Sequence, residues 1–539
     1  MALGALPPQA SFSLRRAFRI TSPDYESFPL DWSYPFLDVE RVDIMYGAGG
    51  SIYGAGSFSG VVNLERRLNP KEKEVSLTLG ELSEMRAFFK LSQGPISLSG
   101  YQVERGAERL DGAKSYEVYK ARSLSGKLLL GHTEVSLLLA EETPIERKTD
   151  GSPDISPNLK RMVGNKLKVR FYSLGLKREG FLGEWKWTIK PSVSLLEAEI
   201  PFYTTTPYFP AFKNKLKPQR WDLTAYASRN FRGLDLTLGT EWQLRRLKSY
   251  KTDFISSQVF PYSFPDDEDL LYAFFFSAAK TFGRASLHLG GRYERYEDYA
   301  GRVIPRLGFS YKLSPNLSFL LSYTEGLNIP SYYHQEDRIV RGYTFKKLSL
   351  EKERTLQASL VYSVKRNIFL RNTLFYQVQK DRIWHGPQVR TEINLPKFDV
   401  SGLESELKLR LNQHLAFLNL TLFDVDEDKP ILFIYDGKYI SGIPRFMLKG
   451  GLSFKLPLFY EAYLSPSFKI IGNTKGKDGE GVPAYSVFDL YLLFKPKPYF
   501  DFGFRVENLF DKHYRRAGGG SIAVPWEGRR VSFDLNFKF

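Results

Sequence analysis

The chain has 539 residues, no cysteine and a net charge of +16, from 76 Lys+Arg against 60 Asp+Glu. The absence of cysteine excludes disulfides and thiolate metal sites. The cations are scattered through strand-like segments and form no stripe, so nucleic acid is not an expected partner. Solvated faces, or attraction to anionic lipid headgroups or an anionic ligand, account for the charge instead.

Mean hydropathy is −0.31, and no run of 18 apolar residues occurs, which excludes a spanning helix. The densest apolar stretch, 270–279, is too short for one. A membrane-spanning barrel remains open, because half of each of its strands is polar. The aromatic content points the same way: 42 Phe and 32 Tyr against 7 Trp suit strands and interfacial girdles.

In chain order, residues 1–66 stand apart. They begin with prolines and lack long alternating runs. Met1-Ala-Leu-Gly-Ala-Leu-Pro-Pro has neither a basic nor an apolar region of a secretory signal, so for a membrane barrel the true start is expected upstream or trimmed. Residues 39–64 read as strand, glycine turn, short helical turn, second glycine turn and strand. Their glycines permit positive φ and close backbone approach. Their spacing matches neither G-x-G-x-x-G nor the phosphate-binding loop ending in Lys-Ser/Thr, and phosphate binding is set aside.

From 67 to 539 the pattern is uniform. Segments of about ten alternating residues are separated by polar, Gly- or Pro-bearing turns, as spanning strands require. One face carries Leu270, Tyr272, Phe274, Phe276 and Ala278. Another carries Ala416, Leu418, Leu420 and Leu422, and a third Phe500, Phe502, Phe504 and Val506. The last ten residues are the plainest case. Val531, Phe533, Leu535, Phe537 and Phe539 alternate with Arg530, Ser532, Asp534, Asn536 and Lys538, which is strict period two. Longer insertions are expected at 143–163, 203–220, 328–347 and 473–483. Short turns on one rim with long loops on the other suit a spanning barrel. Twenty-two strands over residues 67–539 would leave roughly 21 residues for each strand-and-loop unit, the size class of plugged transporters. A chain of β-sandwiches is the rival, but it calls for repeated boundaries and Val/Ile-rich buried faces, and neither is present.

No catalytic constellation is legible. The six histidines, at 132, 288, 334, 385, 414 and 513, form no H-E-x-x-H and no metal-spaced pair. Neither a cofactor nor a resident metal is expected. Two insertions mix chemistry suited to a bound ligand. Tyr203, Tyr208 and Lys213 in 203–220 offer aromatic and cationic contacts for an anionic aromatic chelate, or a rim facing lipopolysaccharide. Tyr332, Tyr333 and His334 offer polar contacts, or an ordinary solvated loop.

Several motifs resemble those of the TonB-dependent outer-membrane receptors, in family order across nearly the whole chain. Residues 39–64 are similar to the family's plug ending V-E-R-I-E-V-L-R-G-P-x-S-x-L-Y-G-x-x-A-x-G-G-V-I-N-I, through Glu40, Arg41, Tyr53, Gly54, Gly56, Gly60 and Asn63. Pro305-Arg-Leu-Gly-Phe-Ser-Tyr through Ser322 to Ser331 is similar to its mid-barrel block. Leu350-Glu-Lys-Glu-Arg-Thr355, Ser401-Gly-Leu-Glu404, Ile443-Pro-Arg-Phe446, Val506-Glu-Asn-Leu-Phe-Asp-Lys-His-Tyr514, Gly528-Arg529 and the terminal Phe539 follow.

The resemblance implies an all-β protein. A partial plug domain, 1–66, lies inside the lumen of a 22-stranded transmembrane barrel, 67–539, in the bacterial outer membrane. It implies energised uptake of a scarce ligand such as a ferric siderophore, cobalamin or another metal chelate. Implied partners are outer-membrane lipid and lipopolysaccharide, a TonB-type energising protein if a TonB box lies upstream, and the barrel assembly machinery, for which Phe537 and Phe539 are the signal. A plug–barrel lock is implied at Arg15, Glu353 and Glu404. The second lock arginine is replaced by Tyr46, so either Arg16 or Arg41 substitutes for it or the lock is weaker here. Glu353 and Glu404 also fit ordinary hydrated lumen charges. The family plug is longer than 66 residues, and the strand written V-L-I-D-G is not recognisable here. A passive pore or surface-binding scaffold is therefore the alternative to a transporter, and an enzyme is disfavoured.

Overall fold

The computed structural model describes residues 11–12, 39, 41–46, 54, 60–65, 71–81, 84–109, 115–149, 168–202, 212–254, 262–263, 267–330, 348–364, 367–384, 393–427, 444–458, 460–475, 481–517, 523–525 and 528–539. Its main body is a closed antiparallel barrel of 22 long strands, from Lys73–Gly80 to Arg530–Lys538. A two-residue strand, Tyr262–Ser263, adds to the end of Leu234–Phe254.

Closure joins the two ends of the sequence. Arg530–Lys538 pairs with Lys73–Gly80 from Ser532↔Gly80 to Lys538↔Glu74. The Phe539 amide donates to the Lys73 carbonyl at 2.8 Å. In hydrocarbon an unpaired backbone group costs several kcal/mol, so only a sheet without edges can span.

Period two sorts the side chains. On Lys168–Leu182, Tyr172, Leu174 and Leu176 face outward while Phe171 and Ser173 are buried on the inner face. On Asp267–Phe282, Leu270, Phe274 and Phe276 point out and Leu271 and Ala273 point in. The last strand does as its pattern requires. Phe533 and Phe537 are exposed and Arg530 and Ser532 buried, and the Phe537 ring lies 4.8 Å from that of Phe500 on the neighbouring strand. Phe539 ends the chain exposed at the rim.

One rim is made of tight turns. Ser115–Leu130 and Thr133–Thr149 are joined by two residues, as are Lys168–Leu182 and Trp185–Phe202. At Arg232 and Gly233 both central residues have positive φ, 49° and 79°, the type I′ geometry that matches strand twist. Asn230 Oδ1 accepts from the Gly233 amide at 3.2 Å. The opposite rim carries the long connections, among them 150–167, 329–350, 428–445 and 508–529.

Two expected insertions prove shorter than the sequence suggests. Residues 212–220 belong to the strand Phe212–Phe231, with Lys213 opposite Pro201 and Asp253. Residues 143–149 belong to Thr133–Thr149. Lysines and Pro218 interrupt the apolar alternation, but these strands run on beyond the apolar band, where an outward side chain has no hydrocarbon to meet. A register shift between Lys215 and Lys217 absorbs the irregularity near Pro218.

A separate three-stranded sheet holds Ser11–Phe12, Arg41–Tyr46 and Gly60–Glu65. The first runs parallel to the third and the second antiparallel to it.

Leu174→Arg, at mid-strand on the outer face, is expected to lower unfolding stability in lipid vesicles by about 2–4 kcal/mol, against about 0–1 kcal/mol for Leu182→Arg near the rim. Urea titration followed by tryptophan fluorescence measures both.

A charged girdle on the inner wall as candidate functional site

The inner face carries ion pairs near the long-loop end of the strands. Arg220 Nε donates to Asp222 Oδ2 at 3.0 Å, and Gln243 Nε2 donates to Asp222 Oδ1 at 2.8 Å. One strand further, Arg245 Nη2 donates to Asp269 Oδ2 at 2.5 Å. Arg292 then donates from Nε to Glu294 Oε2 at 2.7 Å and from Nη1 to Glu241 Oε2 at 3.2 Å. Its guanidinium carbon lies 6.0 Å from the Phe275 ring centroid. Phe275 lies across Gly239, where an added Cβ would meet its Cζ at 2.3 Å. Glycine here lets the ring lie flat beneath the arginine. Arg292 Nη2 has no hydrogen-bond partner among the described residues.

The girdle continues round the wall. Glu351 accepts from Asn328 Nδ2 and, at 2.8 Å, from the Ile383 amide. Glu353 accepts from Thr355 Oγ1 at 3.0 Å and Gln379 Nε2 at 3.2 Å. Beside the seam, Arg530 Nη2 reaches Glu84 Oε2 at 3.0 Å, and Arg86 pairs with the same carboxylate.

Burial is the decisive property. Arg220 and Glu351 are 0% exposed and Arg292, Glu294 and Glu353 1%. Inward side chains of an open barrel this wide would be wet, so these are covered. Buried pairs add little net stability compared with apolar residues, but losing one partner strands the other. The girdle is thus a rigid, interrupted band of donors and acceptors that can hold a polar or charged occupant in place.

At the same end Leu271, Tyr296, Ile304, Leu327, Ile329 and Leu350 form an apolar cluster with Tyr299 against it. Tyr299 Oη donates to the Leu348 carbonyl at 3.1 Å, which pins the 297–301 connection to the segment before Glu351–Val364. Burial, helped by Asp298 and Asp269 and opposed by Arg245, pushes the Tyr299 hydroxyl up to about 12.

The residues singled out from sequence are distributed as follows. Glu353 is in the girdle. Glu404 is half-buried on Phe398–Leu411, opposite Thr373, whereas Glu353 is opposite Gln379 on the same intervening strand. Six residues along that strand separate the two glutamates by roughly 20 Å, so the structure does not bring them together. Arg41, Gly60 and Asn63 lie in the small sheet, and Gly54 is buried with a φ of 75°. Lys213 is in a strand. Arg15, Arg16, Glu40, Tyr53, Gly56, Tyr203, Tyr208, Tyr332, Tyr333 and His334 lie outside the described residues.

Sequence reasoning missed the arginines of the girdle. A signal was there: Arg220/Asp222, Arg292/Glu294 and Glu84/Arg86 are opposite charges two apart, which a strand places on one face.

The family described as TonB dependent receptor-like, β-barrel, matches residues 106–509. The chain belongs to this family. Among curated proteins none matches. Solved structures share the fold at low identity. The siderophore receptor PirA from Acinetobacter baumannii is 17% identical with a TM-score of 0.78, over 99% of this chain and 91% of that one. The copper transporter OprC is 14% identical, also at 0.78, over 98% and 90%. A variant of the ferric enterobactin receptor PfeA from Pseudomonas aeruginosa is 16% identical at 0.76, over 99% and 91%.

Arg292→Met is expected to cost about 3–5 kcal/mol, because it leaves Glu241 and Glu294 buried without their cation. Urea midpoints of the folded barrel in detergent report the loss.

Tyr299 gives a pH dependence of definite sign. Its folded value lies above the ordinary 10.0, so the unfolded chain ionises first and stability falls as pH rises from about 10 to about 12. Tyr299→Phe should flatten that part of the profile in the same urea assay.

Proposed function

We propose that the chain is a bacterial outer-membrane receptor that imports a scarce ligand of the metal-chelate class, such as a ferric siderophore or cobalamin, driven by a TonB-type energising protein. The observation that carries this reading is the covered inner wall. A 22-stranded barrel is the size class of plugged transporters, and the girdle side chains, at 0–1% exposure for Arg220, Arg292, Glu294, Glu351 and Glu353, are not those of a water-filled pore. Family membership supports it, as do structural neighbours described as siderophore receptors and a copper transporter.

In this reading the long-loop rim faces outside and the tight-turn rim the periplasm. Residues 1–66 form the plug and 67–539 the barrel. Arg15 engages one of the two wall glutamates, Glu353 or Glu404, and Arg16 or Arg41 the other; Tyr203, Tyr208, Lys213, Tyr332, Tyr333 and His334 meet the ligand, and Phe537 and Phe539 are read by the assembly machinery. The protein acts by binding and rearrangement and is not an enzyme.

The test uses a bacterial host stripped of its own receptors and expressing the chain with an export signal. A panel of radio-iron siderophores and labelled cobalamin is supplied. Import of one of them, stopped by a protonophore and by deletion of the energising protein, is the expected result. Import indifferent to both, or a steady conductance from the purified barrel in a planar bilayer, overturns the reading in favour of a passive pore.

A further inference from the structure

We infer that the barrel pairs with a second copy of itself in the membrane, through the outer wall around Asn372. On Ile368–Lys380 the side chains of Thr373 and Gln379 are buried inward, and Leu374 and Tyr376 stand exposed outward. Alternation therefore turns Asn372 outward. Along its strand it lies between Leu370 and Leu374, and across from it is Leu360. Two outward tyrosines bracket it: Tyr362, opposite Leu370, nearer the tight turns and Tyr376 nearer the long loops. The amide thus sits inside the apolar band, where a polar side chain is costly and marks a contact.

The barrel does not satisfy this amide by itself. Ser405, between Leu403 and Leu407 on Phe398–Leu411, donates its hydroxyl to Asn372 Oδ1 at 2.8 Å. No described residue accepts from Asn372 Nδ2. Turned either way, the amide keeps bonding capacity that lipid chains cannot use. Thr240 is the contrast. It too lies on the outer face, between Leu238 and Trp242, but its hydroxyl donates to the Ala273 carbonyl at 3.0 Å. Beside the Asn372–Ser405 pair, toward the long loops, the wall is hollow. Ala358 opens a recess of about 620 Å³ among Leu321, Leu356, Leu374, Leu403 and Leu422. A recess lets a neighbouring surface interlock, and close packing with polar bonds is what joins proteins in lipid.

The chemistry selects a second copy as the occupant. A carboxamide carries both donor and acceptor, so it is its own complement. Two barrels inserted the same way up are related by an axis along the membrane normal. In such an isologous contact a residue at the axis meets itself. Asn372 placed there donates from Nδ2 to Oδ1 of the partner's Asn372 and accepts the same bond in return. The leucines of the recess then pack around the pair. An acyl chain can fill the recess but offers the amide nothing. The inference needs only that the barrel spans a membrane, so its failure would leave the import reading untouched.

The chain has no cysteine, so single thiols report the contact. In outer membranes of an expressing host, copper phenanthroline should convert Leu370→Cys to a covalent dimer and leave Leu238→Cys, on a distant strand, monomeric. Barrels labelled with donor or acceptor dye through His132→Cys, in a tight turn, are then reconstituted in phosphatidylcholine vesicles at falling protein-to-lipid ratio. Energy transfer should exceed that of random collision. Adding Asn372→Leu should weaken association on the order of tenfold, and adding Thr240→Val should leave it unchanged. Heat-modifiable gel migration confirms that each variant is folded. Transfer at the collision level, which a recess filled only by lipid would give, overturns the proposal. So does equal cross-linking at positions 370 and 238, or undiminished association of Asn372→Leu.

Discussion

The structure depends on closing a hydrogen-bonded sheet upon itself. Each strand in hydrocarbon must find partners for all its backbone groups, and the first and last strands have none unless they meet. Lys73–Gly80 and Arg530–Lys538 do meet, in continuous antiparallel register. That pairing joins residues more than four hundred positions apart, as in the Thr78 to Asp534 hydrogen bond, and loop closure over such a length is slow. It also settles the division of side chains. Once the ring is closed, each residue faces either the lumen or the outside, and period two assigns it.

From that division come two surfaces with different rules. The outer one is Leu-, Phe-, Tyr- and Trp-rich through its middle and charged above it. Its ion pairs are partly exposed and organise cations more than they stabilise the fold. The inner one is largely polar, with apolar side chains such as Phe171, Leu271 and Ala273 among the polar ones, and at the long-loop end is buried. There the pairs are closed, as at Arg292 between Glu241 and Glu294, and breaking one is costly in a way that exposed pairs are not. The inner girdle is suited to hold an occupant of the lumen.

Much of the fold was legible in the sequence because its cause is local. Alternation at 270–278 and 530–539 needs no knowledge of partners, and the length fits the strand number that the family resemblance implies. What stayed hidden was non-local or sat where the local rule weakens. Residues 212–220 did not read as strand because lysines and Pro218 replace the apolar positions beyond the hydrocarbon. The girdle was missed because a buried arginine looks, in sequence, like any surface arginine. Only the opposite charge two positions away marks it. Glu353 was singled out by its motif and stands in the girdle, whereas Glu404, singled out in the same way, lies six residues lower along the shared strand, a displacement that register alone decides.

The absence of native cysteine makes the central claim directly measurable. Single cysteines placed in turn at positions 170 to 178 of the strand Lys168–Leu182 would carry a nitroxide, with the barrel in lipid vesicles. Collision rates with molecular oxygen, which concentrates in hydrocarbon, and with a water-soluble nickel chelate are then read at each site. Oxygen contact should peak at 172, 174 and 176 and drop at 171, 173 and 175. A profile without period two, or one in which the nickel chelate reaches 172, 174 and 176 freely, would contradict a lipid-spanning barrel.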